Sequence, residues 1–111
     1  MNRIVVDLPL KIVSVANLRE HWSVRAKRAK MQRQAVCLAL PRLPHAGHIQ
    51  VEFTRFGPRL LDSDNLVSAL KSARDGVSDR IGWDDADPRI TWAYAQICAP
   101  EHALRVALTL T

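Results

Sequence analysis

The sequence predicts an α+β domain in which two helices pack on a mixed or largely antiparallel sheet. Segments with strand character and two long stretches of helical periodicity follow one another in the order β-α-β-α-β-β. No repeat, low-complexity tract or linker interrupts this order. A chain of 111 residues is long enough for one hydrophobic core. Residues 1–111 are therefore expected to form a single domain.

The first strand and the first helix are expected within the N-terminal forty residues. Residues 4–6 and 11–13 are short and β-branched, which is typical of one interrupted strand or of two. Asn17 is expected to cap a long helix, because Glu20 follows it three positions later as in a capping box. This helix should end near Leu40, where prolines follow. The apolar residues that share one side of it are Leu18, Trp22, Ala29, Val36 and Leu40.

The second half of the chain supplies a strand, a helix and two more strands. Residues 49–54 alternate between apolar and polar side chains, which predicts a strand with one solvated face. A second helix is expected from about Asn65, and residues 90–97 and 104–110 should form two strands joined as a hairpin. The apolar stripe of the second helix is Leu66, Leu70, Ala73 and Val77.

The charge balance favours an anionic partner. Sixteen Lys and Arg against eleven Asp and Glu give a net charge of +5, which suits nucleic acid. Cys37 and Cys98 lie outside any CxxC pair, so we expect small core hydrophobes and no disulfide framework or zinc cluster. Asp7, Pro9 and Lys11 interrupt the apolar start, which predicts a cytoplasmic protein without a membrane segment.

The acidic residues are concentrated in one segment of this basic chain. Residues 60–90 contain seven of the eleven Asp and Glu. Asp62 and Asp64 at the entry of a helix bring two carboxylates towards one point, and Asp84 or Asp85 from the following loop could supply a further ligand. Hard cations such as Mg²⁺ prefer carboxylate oxygens. The segment therefore predicts a magnesium site.

A structural interpretation of the same aspartates stays open. Asp64 could serve only as a helix N-cap, and residues 84–88 could form a solvated turn, because Asp is favoured at both kinds of position. On a helical wheel, the face opposite the apolar stripe carries Asp64, Ser68, Lys71 and Asp75.

Two short motifs carry a resemblance to a known family. Asp62-Ser63-Asp64-Asn65-Leu66 and Trp83-Asp84-Asp85 resemble the DxDN and DD motifs of the RusA family of Holliday-junction resolvases. The extended run DSDNLVSALKSARDG…GWDDADPRI…W.YAQ is similar to phage and prophage members, so the resemblance covers about residues 60–97. It implies a homodimeric, Mg²⁺-dependent endodeoxyribonuclease, with Mn²⁺ as a substitute, that cuts four-way or other branched DNA in recombination and repair.

The resemblance also implies roles for individual residues. Asp62 and Asp64 match the family's DxD, and Asp85 matches the second aspartate of its DD pair, so these three are the expected metal ligands, with Asp84 as a further candidate. The family's lysine comes four residues after the second aspartate, where this chain has Ser68. Lys71 is the alternative candidate for charge stabilisation. Asp75 is either an outer-sphere group or an exposed helix residue.

The first helix is the candidate DNA-contacting element. Trp22 is expected in the core, and Arg25 and Arg33 lie on or beside the inward stripe, so both need an anionic partner, either DNA phosphate or the acidic cluster. The alternative is a solvated helix in a non-catalytic DNA-binding phage protein, whose carboxylates serve as caps and turns. The basic residues predicted to bind DNA are Arg19, Arg25, Lys27, Arg28, Lys30 and Arg33.

Overall fold

The computed structural model describes residues 2–14 and 20–111, and in these ranges four strands and three helices surround one core. The predicted α+β class and the β-α-β-α-β-β order are confirmed, with the second helical region divided in two. No helix in the described ranges is both long and apolar enough to cross a membrane. The elements are β1 (Asn2–Leu8), α1 (Trp22–Ala39), β2 (Ile49–Gly57), α2 (Ser63–Ala69), α3 (Lys71–Ile81), β3 (Ile90–Cys98) and β4 (Ala103–Leu110).

The sheet is mixed and has the strand order β1-β4-β2-β3. Strand β4 pairs antiparallel with both β1 and β2, and β2 pairs in parallel with β3. The hairpin expected between the last two strands is therefore wrong, because β2 lies between them. Neighbouring strands are about 5 Å apart, so residues 99–102 can pass over the end of β2 and reach its other edge. The crossover through α2 and α3 is what makes β3 parallel to β2.

The strand expected at residues 11–13 is also wrong. This segment belongs to no strand, although Ile12 is only 1% exposed. The backbone carbonyl of Ile12 accepts a hydrogen bond from Arg55 Nε at 2.7 Å. The buried Arg55 side chain thus supplies the hydrogen bond that a neighbouring strand would otherwise supply.

The helices cover one face of the sheet. The apolar stripe predicted for the second helical region is buried as expected, with Leu66, Leu70, Ala73 and Val77 all in the core. Helix α1 crosses α3 at Gly76, where an added Cβ atom would lie 2.4 Å from the backbone oxygen of Arg33. Glycine thus permits the close approach of these two helices.

Helix α1 begins later than the sequence predicts. His21 is its N-cap and accepts a hydrogen bond from the Ser23 backbone N–H through Nδ1. The expected cap, Asn17, and the stripe residue Leu18 lie outside the described residues. Glu20 precedes the helix, and its carboxylate binds the Arg28 guanidinium at 2.6 and 2.8 Å.

The expected core position of Trp22 is wrong, since 74% of this side chain is exposed. The buried residues of α1, Gln32 and Val36, lie in its second half, so its first turns stand away from the core. Ala29 is exposed as well.

The two cysteines differ in their exposure. Cys37 is half-buried, while Cys98 is exposed. Core placement of Cys98 was therefore also a wrong expectation.

The second helical region starts at Ser63 and breaks at Leu70. Leu70 has φ −97° and ψ 7°, and its N–H is shared between the carbonyls of Leu66 and Val67 at 3.2 Å each. The helix is therefore interrupted at Leu70, although the predicted apolar stripe stays in the core on both sides of the break.

Candidate active site

The start of α3 brings two aspartates to Lys71. Lys71 Nζ donates to Asp75 Oδ1 at 2.9 Å and to Asp85 Oδ2 at 3.1 Å. Bonds to Asp75 and then to Asp85 raise the pKa of Lys71, and the bond from Lys71 is the largest cause that lowers the pKa of Asp85. The loop after α3 thus folds back to the start of the same helix. A site that contains both Asp85 and the start of α3 requires this fold of the loop.

Arg74 holds Asp85 from a second direction. Its Nε donates to Asp85 Oδ2 and its Nη2 to the Asp85 backbone oxygen, both at 3.1 Å. The same guanidinium donates through Nη1 to the Tyr94 hydroxyl and lies 4.5 Å from the centre of the Trp92 ring. Trp92 Nε1 also donates to the Asp85 backbone oxygen at 3.0 Å. The planar guanidinium of Arg74 thus fixes both the carboxylate and the backbone of Asp85.

Sequence reasoning missed Arg74, Trp92 and Tyr94 as parts of this arrangement. A signal was available, because Arg74 follows Lys71 by three positions and so lies on the same helical face. Trp92 and Tyr94 are two positions apart in β3 and so share one face of the sheet, where both stack near Phe53. Both aromatic rings are thus engaged within the chain.

Two other aspartates of the loop serve the turn itself. Asp84 Oδ1 accepts from the Ala86 backbone N–H at 2.8 Å, and the Asp87 carboxylate accepts from both the backbone and the side chain of Arg89. The Arg89 bonds lower the pKa of Asp87 to about 2. The structural interpretation therefore describes Asp84 and Asp87, whereas Asp85 points towards α3.

Asp62 and Asp64 lie at the entry of α2, and both are exposed. Asp62 occupies the N-cap position, with φ −60° and ψ 153°, but its side chain makes no capping hydrogen bond. Asp64 lies in the first turn, so the alternative that treats Asp64 as the N-cap is wrong. A carboxylate that does not cap its helix retains its acceptor capacity for another group.

The predicted carboxylates are not assembled into a complete metal cage. Within residues 2–14 and 20–111, no three His, Cys, Asp or Glu side chains form a group that could hold a metal ion. The donor chemistry nevertheless fits a largely hydrated Mg²⁺, because this ion keeps several waters and is commonly held by one or two carboxylates. Asp62 and Asp64 supply two such donors, and Asp85 Oδ2 is engaged by Lys71 and Arg74.

A cleft of about 220 Å³ lies between α1 and the α2–α3 region. Ser68, which stands where the family has its lysine, and Lys71 line this same cleft. Asp75 lines it too, with a side chain that is 26% exposed and accepts a hydrogen bond from Lys71. The polar and charged lining residues are Arg25, Arg28, Gln32, Ser68, Lys71, Ser72 and Asp75.

The basic residues of α1 occupy three kinds of position. Arg25 and Arg28 line the cleft, and Arg33 binds Asp79 of α3 at 2.6 and 2.8 Å, which raises the pKa of Arg33. The anionic partner expected for Arg33 is therefore a member of the acidic segment. Lys27 and Lys30 are exposed. Arg19 lies outside the described residues.

The comparison with known proteins identifies a relative but no activity. No protein-family model matches the chain. An uncharacterized protein of Xylella fastidiosa (strain Temecula1 / ATCC 700964) is 33% identical over 95 residues, which span 77% of this chain and 61% of the relative. The chain thus covers less than two thirds of that protein's length. Function has to be argued from the site itself.

Proposed function

We propose that the protein is a Mg²⁺-dependent, structure-selective endodeoxyribonuclease of the RusA type that cuts four-way or other branched DNA in recombination and repair. The observation that carries the proposal is the return of Asp85 to the start of α3, where it contacts Lys71 beside a cleft lined by arginines of α1. Asp85 thereby holds a lysine that lines the cleft, a contact that a turn serving only to connect α3 with β3 would not need.

Each side chain has a distinct task in this proposal. Asp62 and Asp64 hold the metal ion, and Asp85, which the structure pairs with Lys71 and Arg74 and not with those two carboxylates, is proposed as a further ligand. Bound Mg²⁺ would polarise the scissile phosphate and make a bound water more acidic. Lys71 stabilises negative charge on the phosphate, since a cation held between two carboxylates remains protonated.

DNA binding is assigned to the cleft and to the exposed face of α1. Arg25, Arg28 and Lys71 surround a space open to a phosphate group, and Lys27 and Lys30 extend the positive surface along the helix. A four-way junction has approximate two-fold symmetry, so the proposal includes a homodimer that presents two identical sites. It also includes a cytoplasmic location, with Mn²⁺ able to replace Mg²⁺.

The test combines cleavage and binding in one experiment. Purified protein is incubated with labelled four-way, forked and linear duplex DNA, with Mg²⁺, with Mn²⁺ or with EDTA. We expect metal-dependent incision of branched DNA, loss of incision with retained binding in Asp64→Asn and Asp85→Asn, and no effect of Glu101→Gln, an exposed carboxylate in the β3–β4 connection. No incision of any branched substrate by the wild-type protein would overturn the proposal.

A second candidate is a DNA-binding protein without catalysis. Two observations favour it: the turn roles of Asp84 and Asp87, and the finding that no three-carboxylate group exists among the described residues. It predicts salt-sensitive binding of DNA in EDTA and no incision with either metal. The same assay therefore separates the two functions.

A further inference from the structure

Arg55 and Gln96 hold the backbone that leads into Asp62. The two residues are paired in register across β2 and β3. Gln96 Oε1 accepts from the Leu61 backbone N–H at 2.9 Å, and Gln96 Nε2 donates to the Leu61 backbone oxygen at 2.7 Å. One side-chain amide thus satisfies both backbone groups of the residue directly before Asp62.

Arg55 extends this anchor to Arg59 in the same loop and to the N-terminal segment. Its Nη1 donates to the Arg59 backbone oxygen at 2.7 Å and lies 3.5 Å from Gln96 Oε1, while its Nε donates to the Ile12 oxygen. Gly57 leaves room for the Arg55 guanidinium, because a Cβ atom at residue 57 would lie 3.0 Å from Arg55 Nη2. Alanine or a larger residue at this position would crowd the guanidinium.

The burial of Arg55 is costly if its only role is to fill the core. The residue is 3% exposed, and desolvation lowers its pKa. An apolar side chain would occupy the same space without the cost of removing a charge from water. The charged fork is explained when its bonds to two separate backbone segments and to the Gln96 side chain, rather than its volume, are what the fold requires.

We infer that Arg55 and Gln96 are positioning residues that set the direction in which the chain enters α2 and hence the placement of Asp62 and Asp64. The inference rests on the proposed function. Asp62 follows the clamped Leu61 directly, and its backbone oxygen accepts the first hydrogen bond of α2 from Leu66 N–H at 2.8 Å. Asp64 lies inside the first turn of α2, so a displacement of Leu61 shifts Asp62 more than Asp64 and changes the distance between their carboxylates. Such a change weakens a metal site that depends on their relative position.

The experiment compares three variants of the full chain. Gln96→Met removes both bonds to Leu61 at similar volume, and Gln96→Glu keeps the acceptor for Leu61 N–H and adds an ionic partner for Arg55. Arg80→Met is the matched control, because it removes one side-chain bond to a backbone oxygen, that of Cys37, near the opposite end of α3. Mg²⁺ dependence of cleavage, Mn²⁺ binding by calorimetry without DNA, and thermal stability are measured for each.

We expect Gln96→Met to raise the Mg²⁺ concentration for half-maximal cleavage and the Mn²⁺ dissociation constant by about tenfold. Gln96→Glu should fall between it and the wild type, and Arg80→Met should leave both quantities unchanged even where its melting temperature falls. If Gln96→Met fails to fold, Gln96→Glu provides the comparison. Unchanged metal dependence in both Gln96 variants, or equal weakening in Arg80→Met, would overturn the positioning role. Absence of cleavage in the wild type would instead overturn the proposed function, and the positioning role with it.

Discussion

Lys71 Nζ and Asp85 Oδ2 lie 3.1 Å apart, although the two residues are separated by a whole helix and a turn. The Lys71 side chain is 61% exposed, so the ion pair contributes little to the free energy of unfolding. Its effect is electrostatic and local, because it raises the pKa of Lys71 and lowers that of Asp85. The contact therefore acts on the charge of Lys71, which lines the cleft, more than on the stability of the fold.

Replacement of Lys71 by methionine should separate these two effects. We expect the free energy of unfolding to change by less than about 1 kcal/mol, while the cleavage rate falls about a hundredfold through the loss of charge stabilisation. The pKa of Asp85 should rise, because its largest lowering contact is removed. Urea denaturation, cleavage kinetics and a carboxyl titration by NMR measure the three quantities. Lys11→Met, at an exposed lysine outside the cleft, is the control, and equal rates in the two variants would contradict the role of Lys71.

Replacement of Arg74 by lysine should loosen Asp85 although the charge is kept. Lysine lacks the planar fork that binds the Asp85 carboxylate, the Asp85 backbone oxygen and the Tyr94 hydroxyl at the same time. We expect a loss of about 1 to 3 kcal/mol in the free energy of unfolding and faster hydrogen exchange in residues 84–87. Tyr94→Phe removes one of these bonds and should show a smaller loss. A neutral result for Arg74→Lys would mean that the fork is not required.

Stability at acidic pH should depend on Asp87. Its pKa in the folded protein is about 2, below the ordinary value of 3.8, so its contribution is fully present above pH 3.8 and is lost as the pH falls through about 2. Asp87→Asn should therefore reduce the stability difference between neutral pH and about pH 2, as measured by urea midpoints. Asp85 and Asp79 also have lowered pKa values, so part of the acid sensitivity will remain. Glu101→Gln is the control, and identical pH curves for Asp87→Asn and the wild type would contradict the assignment.

Introduction of a methyl group at Gly76 should force α1 and α3 apart. The added Cβ atom would lie 2.4 Å from the Arg33 backbone oxygen and 3.0 Å from Val36 Cβ. We expect Gly76→Ala to lower the free energy of unfolding by about 2 kcal/mol or more, against the usual helix preference for alanine over glycine. Gly47→Ala, where the nearest atom is the Thr111 oxygen at 4.0 Å, should be tolerated. Thermal and urea denaturation provide the comparison, and a stabilised Gly76→Ala would disprove the close approach.

The exposed lysines of α1 should contribute to DNA affinity in a salt-dependent way. We expect Lys27→Ala/Lys30→Ala to weaken binding of all DNA sequences alike and to reduce the slope of log affinity against log salt by about 1 to 2. Arg3→Ala/Arg42→Ala removes the same charge from exposed positions outside α1 and should have a smaller effect. Fluorescence anisotropy at several salt concentrations, with EDTA present to prevent cleavage, gives both slopes. Equal slopes in the two double variants would argue against α1 as the contact surface.

Local patterns were sufficient to predict the elements and much of the core. The spacing of Leu66, Leu70, Ala73 and Val77 reports which side of the α2–α3 region faces the core, and this prediction holds. The alternation predicted for residues 49–54 holds through Phe53 but is wrong at Thr54, which is buried. The end of α1 at Ala39 also agrees with the prolines that follow. Such patterns fail where an element extends past the core, as at the exposed Trp22. The spacing of apolar residues shows which side of a helix is apolar. It does not show how far along the helix the core that covers this side extends.

The sequence by itself therefore determined the α+β class, the order of elements and the concentration of carboxylates between residues 60 and 90. Only the tertiary structure decided that β2 separates β3 from β4, that the helical region breaks at Leu70, and that Asp85 meets Lys71 and Arg74 while Asp84 stays in its turn. The physical reason is the range of the interactions. Helical and strand periods are set by neighbours a few positions away, whereas strand order and the path of a returning loop depend on packing between segments that are distant in sequence.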